Sequence, residues 1–251
     1  MEPKLHLETI SKKYGTKTVL EDISCDIFPG ELVSILGSSG CGKTTLLRII
    51  MGIEAPDGGK VFKDGQDITS SKPAQRGMGI VFQNYALFPN MSVRNNIAFA
   101  LKCRHLPKEE VEAKVHKVIE TVGLQDHVNK KPHMLSGGQQ QRVAIARTLV
   151  LDPDIILFDE PMSALDEDIK MALRAEIKKL QEELHITMLY VTHDQEEAFA
   201  LSNRVIVMND SKIEQFDTPE NIYVHPKTEF VRRFVVDHLD AKLASIKEHI
   251  S

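Results

Sequence analysis

Apolar and polar residues alternate with a period near two from Leu5 to Ile10 and again from Ile23 to Phe28, which predicts half-buried strands. Pro29-Gly30 then supplies a turn, and Leu32 to Leu36 reads as a buried strand. After the glycine-rich stretch Gly37 to Gly42, the apolar positions of Thr44 to Met51 recur at helical spacing. Asp57-Gly58-Gly59 turns the chain into short strands around Val61-Phe62 and Ile80-Val81-Phe82. The pattern changes at Met91. Met91 to Leu106, Pro107 to Val122 with its proline at a helix start, and Gln139 to Val150 are all helical in period, so a helical subdomain is expected there. Strand patterns return at Ile155 to Phe158, Thr187 to Val191 and Val205 to Met208, separated by the helical stretches Asp168 to Leu184 and Gln195 to Leu201. Such alternation implies a parallel sheet covered by helices. The tail from Ala241 to Ser251 reads as a short polar-amphipathic helix.

Composition narrows this picture. With 251 residues, 42% of them hydrophobic, the chain can bury a sizeable core and sits at the upper edge of single-domain size. Its 31 basic and 36 acidic residues leave a formal net charge of -5, without the positive excess that nucleic-acid binders use to neutralise phosphates. Nucleic acid is therefore not expected as a partner. Cys25, Cys41 and Cys103 are odd in number and lack metal-ligand pairing, so neither a disulfide framework nor a zinc site is indicated, and a reducing cytoplasm fits. Met1 to Leu7 carries no apolar signal core, and no stretch approaches the roughly 18 to 20 apolar residues that span a bilayer. Any membrane role is expected to depend on a partner.

Three segments carry chemistry. Gly37-Ser38-Ser39-Gly40-Cys41-Gly42-Lys43-Thr44 fits G-x-x-x-x-G-K-[ST] and lies between a buried strand and a helix start. There, backbone N–H groups curl around phosphate oxygens, Lys43 reaches the terminal phosphates and Thr44 ligates Mg²⁺; the plainer reading is a glycine turn capping a helix. The apolar strand Ile155 to Phe158 ends in Asp159-Glu160-Pro161, which places two carboxylates at its carboxyl edge. Asp159 is suited to orient a Mg²⁺ shell and Glu160 to polarise an attacking water, although an Asp-Glu pair before proline also caps turns. Leu135-Ser136-Gly137-Gly138-Gln139 precedes a helix; Ser136 and Gln139 are spaced as a capping box, and two successive glycines leave bare backbone at a second anion-binding helix start.

The last segment resembles the LSGGQ motif of the ABC transporter ATPases, and the resemblance runs along almost the whole chain. It implies an α/β fold: a P-loop NTPase core with a mixed, mainly parallel sheet, an N-terminal antiparallel β subdomain and an inserted helical subdomain. The implied division is one domain over 1–251, with core and β subdomain in 1–83 and 151–225, the helical subdomain in 84–150 and a helical tail in 226–251. The resemblance also implies that Tyr14 stacks on adenine and that Gly37, Ser38, Ser39, Gly40, Cys41, Gly42, Lys43, Thr44 and Thr45 hold the phosphates. Ser136, Gly137, Gly138 and Gln139, with Asp166 of the coupling loop Ser163-Ala164-Leu165-Asp166, would close on the γ-phosphate held by a second copy in a head-to-tail dimer. Gln83 would sense Mg²⁺ and the attacking water, Thr44, Gln83 and Asp159 would form the metal side, and His193 would contact the γ-phosphate. Glu160, His193, Gln83 and Lys43 are then the catalytic set, with ATP and Mg²⁺ as ligands. Asp194 with Glu197 also fits a capping box. Cys41, at a helix start that favours thiolate, is expected to be sensitive to alkylation.

Gln83 to Pro89 and Ile222 to Pro226 resemble importers of polyamines, ferric iron, phosphonates, sulfate or sugars. The implied partners are a transmembrane permease and an extracytoplasmic substrate-binding protein, with the chain at the cytoplasmic face of the membrane. Many such relatives carry a C-terminal regulatory domain for which this length leaves no room, so control through one is not expected. Tyr85, Leu87 and Phe88 read equally as the rim of a groove for a permease helix or as local core. DNA-repair ATPases sharing LSGGQ need long coiled coils, translation factors need two cassettes, and a small-molecule kinase would leave Ser136 to Gln139 and His193 without a role.

Overall fold

The structure, a computed structural model, describes residues 1–163 and 165–250, so Ala164 and Ser251 lie outside the described residues. The chain begins with β1 (Leu5–Tyr14) and β2 (Lys17–Ile27), an antiparallel pair. The buried strand expected after the Pro-Gly turn is β3 (Leu32–Gly37), followed by α1 (Lys43–Met51), then β4 (Gly58–Lys63), β5 (Gln66–Asp67) and β6 (Met78–Val81). The helical stretch comprises α2 (Val93–Cys103), α3 (Lys108–Thr121) and α4 (Gly137–Leu149). Next come β7 (Ile155–Asp159), α5 (Glu167–Leu184), β8 (Thr187–Thr192), α6 (Gln195–Leu201) and β9 (Arg204–Asn209). The chain closes with β10 (Lys212–Asp217), α7 (Pro219–Val224), α8 (Glu229–Val231), a π-helical turn Arg232–Asp237 and α9 (His238–Ile250).

Two sheets result. One is antiparallel in the order β2-β1-β4-β5; the other runs β10-β9-β3-β8-β7-β6 and is parallel except at the β10-β9 pair. Side chains alternate across the second sheet, and its two faces belong to different cores. Val33, Ile35, Ile155, Leu157, Leu189 and Val191 pack with α1 and the antiparallel sheet, while Ile156, Phe158, Met188 and Tyr190 pack with the helices α2 to α5. A smaller cluster joins Leu36, Val205 and Val207 to Ile222, Val231 and Val235 of the C-terminal helices. The carboxyl end of α1 is closed by buried Arg76, whose guanidinium donates to the carbonyls of Ile49 and Ile50 at 2.9 and 2.7 Å, a cation set where the helix dipole favours one.

This topology decides where chemistry can occur. The strands β3, β8 and β7 are adjacent and parallel, with Leu36 paired to Thr192 and Val191 to Asp159, so all three deliver their carboxyl ends to one edge. In open α/β sheets that edge is where ligands bind.

Candidate active site

The loop that leaves β3 is shaped by close approach. A Cβ on Gly37 would stand 2.4 Å from the Met208 carbonyl oxygen, and one on Gly42 would stand 2.5 Å from the Val19 carbonyl oxygen. Gly42 also has φ 106°, a conformation that side chains disfavour, and it opens α1 without a side-chain cap. The first N–H groups of that helix therefore face the loop rather than a side-chain oxygen. Lys43, almost fully buried, turns its ammonium back across the loop and donates to the carbonyls of Gly37 at 2.8 Å and Ser38 at 3.0 Å.

Thr44 is the link to the next strand. Its Oγ1 donates to Asp159 Oδ1 at 3.1 Å, a bond between residues 115 positions apart. Burial pushes the Asp159 carboxyl above its ordinary range; the Thr44 bond opposes this and the neighbouring Glu160 adds to it. Glu160 has φ 46°, uncommon for a side-chain-bearing residue, and its N–H donates to the Val191 carbonyl at 3.1 Å, which anchors the turn to β8. His193, the residue after β8, sets Nδ1 3.1 Å from Glu160 Oε2. A carboxylate only accepts, so Nδ1 carries the proton in this contact, and Nε2 makes no hydrogen bond among the described residues.

Gln83 joins from the loop after β6. Its Nε2 donates to Ser163 Oγ at 3.0 Å, and Ser163 Oγ donates to the Glu160 carbonyl at 3.1 Å. The structure thus brings Lys43, Thr44, Asp159, Glu160, His193 and Gln83 to one sheet edge. Sequence reasoning did not assign the bridging role to Ser163, and no local signal could have, because its partner Gln83 is 80 positions away. Tyr14 is half-exposed at the end of β1; its hydroxyl donates to Glu54, and Lys12 Nζ lies 5.6 Å from its ring centre. The phenolic edge is thereby held, and the ring is left about half exposed. The Glu54 bond raises the Tyr14 pKa first, burial second, and a contact with Thr45 opposes them.

The second glycine segment is built differently. Ser136 Oγ accepts from the Gln139 N–H at 3.4 Å and the Ser136 N–H donates to Gln139 Oε1 at 3.0 Å, the full capping box. Its two glycines also have a packing reason: a Cβ on Gly137 would stand 2.6 Å from Leu165, and one on Gly138 would stand 3.1 Å from Ile169. The start of α4 therefore lies against the start of α5, whose N-cap is Asp166, accepting from the Ile169 N–H at 3.1 Å. Among the described residues, no hydrogen bond joins Ser136 to Gln139 with the β3, β7 and β8 ends.

Two expectations change. Cys41 is buried, and that burial pushes its thiol pKa up, outweighing Lys43 and the helix start; the expected ready alkylation is not what this site favours. The capping box at Asp194 and Glu197 is half made: Asp194 accepts from the N–H groups of Glu196 and Glu197, but Glu197 bonds elsewhere. Tyr85 and Leu87 pack against the helical core, and the Phe88 ring meets that of Phe99 at a tilt of 50°, centroids 4.4 Å apart. Tyr85 also lines, with Phe82, Phe99 and Arg147, a groove of about 250 Å³, so both readings of that segment have a physical basis.

A family model described as "ABC transporter" matches residues 20–163. The chain is 49% identical over 231 residues to the "Spermidine/putrescine import ATP-binding protein PotA" of Marinobacter nauticus, which covers 92% of this chain and 62% of that protein. It is 46% identical over 233 residues to the "Fe(3+) ions import ATP-binding protein FbpC" of Photorhabdus laumondii, covering 93% of this chain and 66% of that one. The chain thus spans less than two thirds of the length of these curated relatives. Among solved structures, cbiO1 of Clostridium perfringens, described as part of the ABC transporter complex cbiONQ, superposes with TM-score 0.84 at 27% identity, covering 97% of this chain and 100% of that one.

Proposed function

Because the chain belongs to the ABC transporter family, we propose that it is an ATP-hydrolysing subunit that powers a membrane importer. The observation that carries this reading is the junction of three strand ends: Thr44, which follows the Gly37 to Gly42 loop, bonded to Asp159, and Glu160, next in the chain, beside His193. ATP enters as substrate. Tyr14 offers a ring face to the base, the loop N–H groups from Ser38 to Thr45 hold the phosphates, and Lys43 swings from the loop carbonyls to the terminal phosphates. Glu160 orients the attacking water and takes its proton, His193 contacts the γ-phosphate through Nε2, and Gln83, placed by Ser163, reports the water's position to the helical segment.

Mg²⁺ fits the residues present. The Thr44 hydroxyl and the Asp159 carboxylate are hard oxygen donors 3.1 Å apart, and among the described residues no cluster of three or more His, Cys, Asp or Glu forms a closed cage. That matches the preference of Mg²⁺ for one or two protein oxygens plus phosphates and water. When bound, the ion would neutralise charge on the β- and γ-phosphates. Gln83 belongs on this side of the site only after releasing Ser163.

Ser136 and Gly138 of a second copy would close on the γ-phosphate, with Asp166 at the seam, so that the competent form is a head-to-tail dimer. The division into a core with β subdomain, a helical subdomain over 84–150 and a helical tail over 226–251 would separate these two halves. The relatives named above as import proteins support an importer, whose partners would be a transmembrane permease and an extracytoplasmic binding protein. Among the described residues no helix is long and apolar enough to cross a membrane; the chain would sit at the cytoplasmic face through the permease. Phosphate release from Mg²⁺-ATP by the purified chain tests the reading: hydrolysis is expected and should be lost in Lys43→Ala. An inactive wild-type chain, supplied with its permease, would refute it.

A further inference from the structure

Glu197 is buried in α6, just beyond His193, and does not serve its own helix. Its Oε2 accepts from Thr192 Oγ1 at 2.9 Å and from the Tyr190 hydroxyl at 3.0 Å, both on β8. Thr192 Oγ1 in turn accepts from the Asp194 N–H at 3.0 Å. The other carboxylate oxygen of Glu197 lies 3.6 Å from Lys170 Nζ. Lys170 stands one turn into α5, its N–H bonded to the Asp166 carbonyl at 3.0 Å, and its ammonium also lies 4.0 Å from Asp194.

The imidazole of His193 has no such enclosure. Its side chain is 60% exposed, and Glu160 is its one hydrogen-bond partner among the described residues. Where its ring sits therefore depends on the backbone from Thr192 to Asp194. That backbone is tied on both sides of His193 by one chain of bonds ending on Glu197. A buried carboxylate with both oxygens engaged is a rigid anchor, because withdrawing it leaves buried donors unpaired.

We propose that Glu197 is a positioning residue for His193, fixing the turn that carries the imidazole and, through Lys170, tying it to the helix that Asp166 begins. The inference rests on the reading of His193 as a γ-phosphate contact. Glu197→Gln keeps the size of the side chain and one oxygen able to accept from the Thr192 and Tyr190 hydroxyls, but it removes the charge and sets an N–H₂ against the Lys170 ammonium, so the tie to α5 is lost.

The test is a double-mutant cycle on ATP hydrolysis by the full chain, using Glu197→Gln, His193→Ala and the pair. Glu197→Gln is expected to lower kcat about ten- to a hundredfold, with KM for ATP held within about twofold. Added to His193→Ala, it should lower kcat no further, since the group it positions is gone. A loss of equal factor in both backgrounds would mean that Glu197 supports the fold alone and would overturn the inference. An unchanged kcat in His193→Ala by itself would remove the reading of His193, and the inference with it. Should Glu197→Gln fail to fold, Thr192→Val takes its place in the cycle, removing the hydroxyl that links the Asp194 N–H to the carboxylate.

Discussion

The helix start that follows β3 and the amino end of α4 both set glycines at a helix N-terminus, yet the two regions are wired in opposite ways. At the strand ends, side chains bond across long stretches of sequence: Thr44 to Asp159 over 115 positions, Gln83 to Ser163 over 80, His193 to Glu160 over 33. At α4, Ser136 and Gln139 bond to each other over 3 positions, and Gln139 reaches His127 over 12. The first region is a tertiary construction that completes itself within one chain. The second is finished locally, packs on α5, and has no bond to the first among the described residues. A helix start capped by its own residues and not bonded to the strand-end cluster is suited to meet a phosphate held elsewhere, which is the physical case for the proposed second copy.

Substitutions on the two sides should separate these regions. The largest effect is expected from Glu160→Gln, which removes the proposed water-orienting group: phosphate release should fall about 10²- to 10⁴-fold while ATP binding, measured by equilibrium titration, persists. Hydrolysis near the wild-type rate in that variant would detach the strand ends from the chemistry. Next, Lys43→Ala should weaken ATP binding to the single chain about tenfold or more, whereas Ser136→Ala should leave that affinity unchanged. Equal losses in the two variants, at concentrations too low for association, would erase the distinction between the regions. Smaller still, Ser136→Ala should cost about 1 kcal/mol in urea unfolding through loss of the α4 cap.

The smallest effect concerns pH. Burial raises the Asp159 carboxyl, so the folded chain binds that proton more tightly than the unfolded chain does, and stability declines as pH rises through the interval between the two values. Asp159→Asn should therefore raise the melting temperature at neutral pH without Mg²⁺-ATP, and the gain should vanish below the carboxylate range. A melting temperature lowered at neutral pH would contradict the desolvation argument.

How much of this was legible depended on reach. The Gly37 to Thr44 loop and the Ser136 capping box are written in contiguous residues, and the hydrophobic periods located the strands β3, β7, β8 and β9 and the helices around them. The closing strand β10 was not anticipated, because Lys212–Asp217 mixes charged and apolar residues on an edge strand. The roles of Ser163 and Glu197 were hidden for a related reason. Asp194 and Glu197 have capping-box spacing, and only the packing of α6 on β8 reveals that the glutamate turns to Tyr190 and Thr192 instead. Cys41 went the other way: its place at a helix start suggested an acidic thiol, and burial outweighed it.

The composite site can be tested most directly by sedimentation of Glu160→Gln with Mg²⁺-ATP, which should hold nucleotide without consuming it. Two copies per particle are expected, reverting to one when Ser136→Arg is added to the same chain. A nucleotide-loaded Glu160→Gln protein that stays a single copy at every concentration would contradict the shared site.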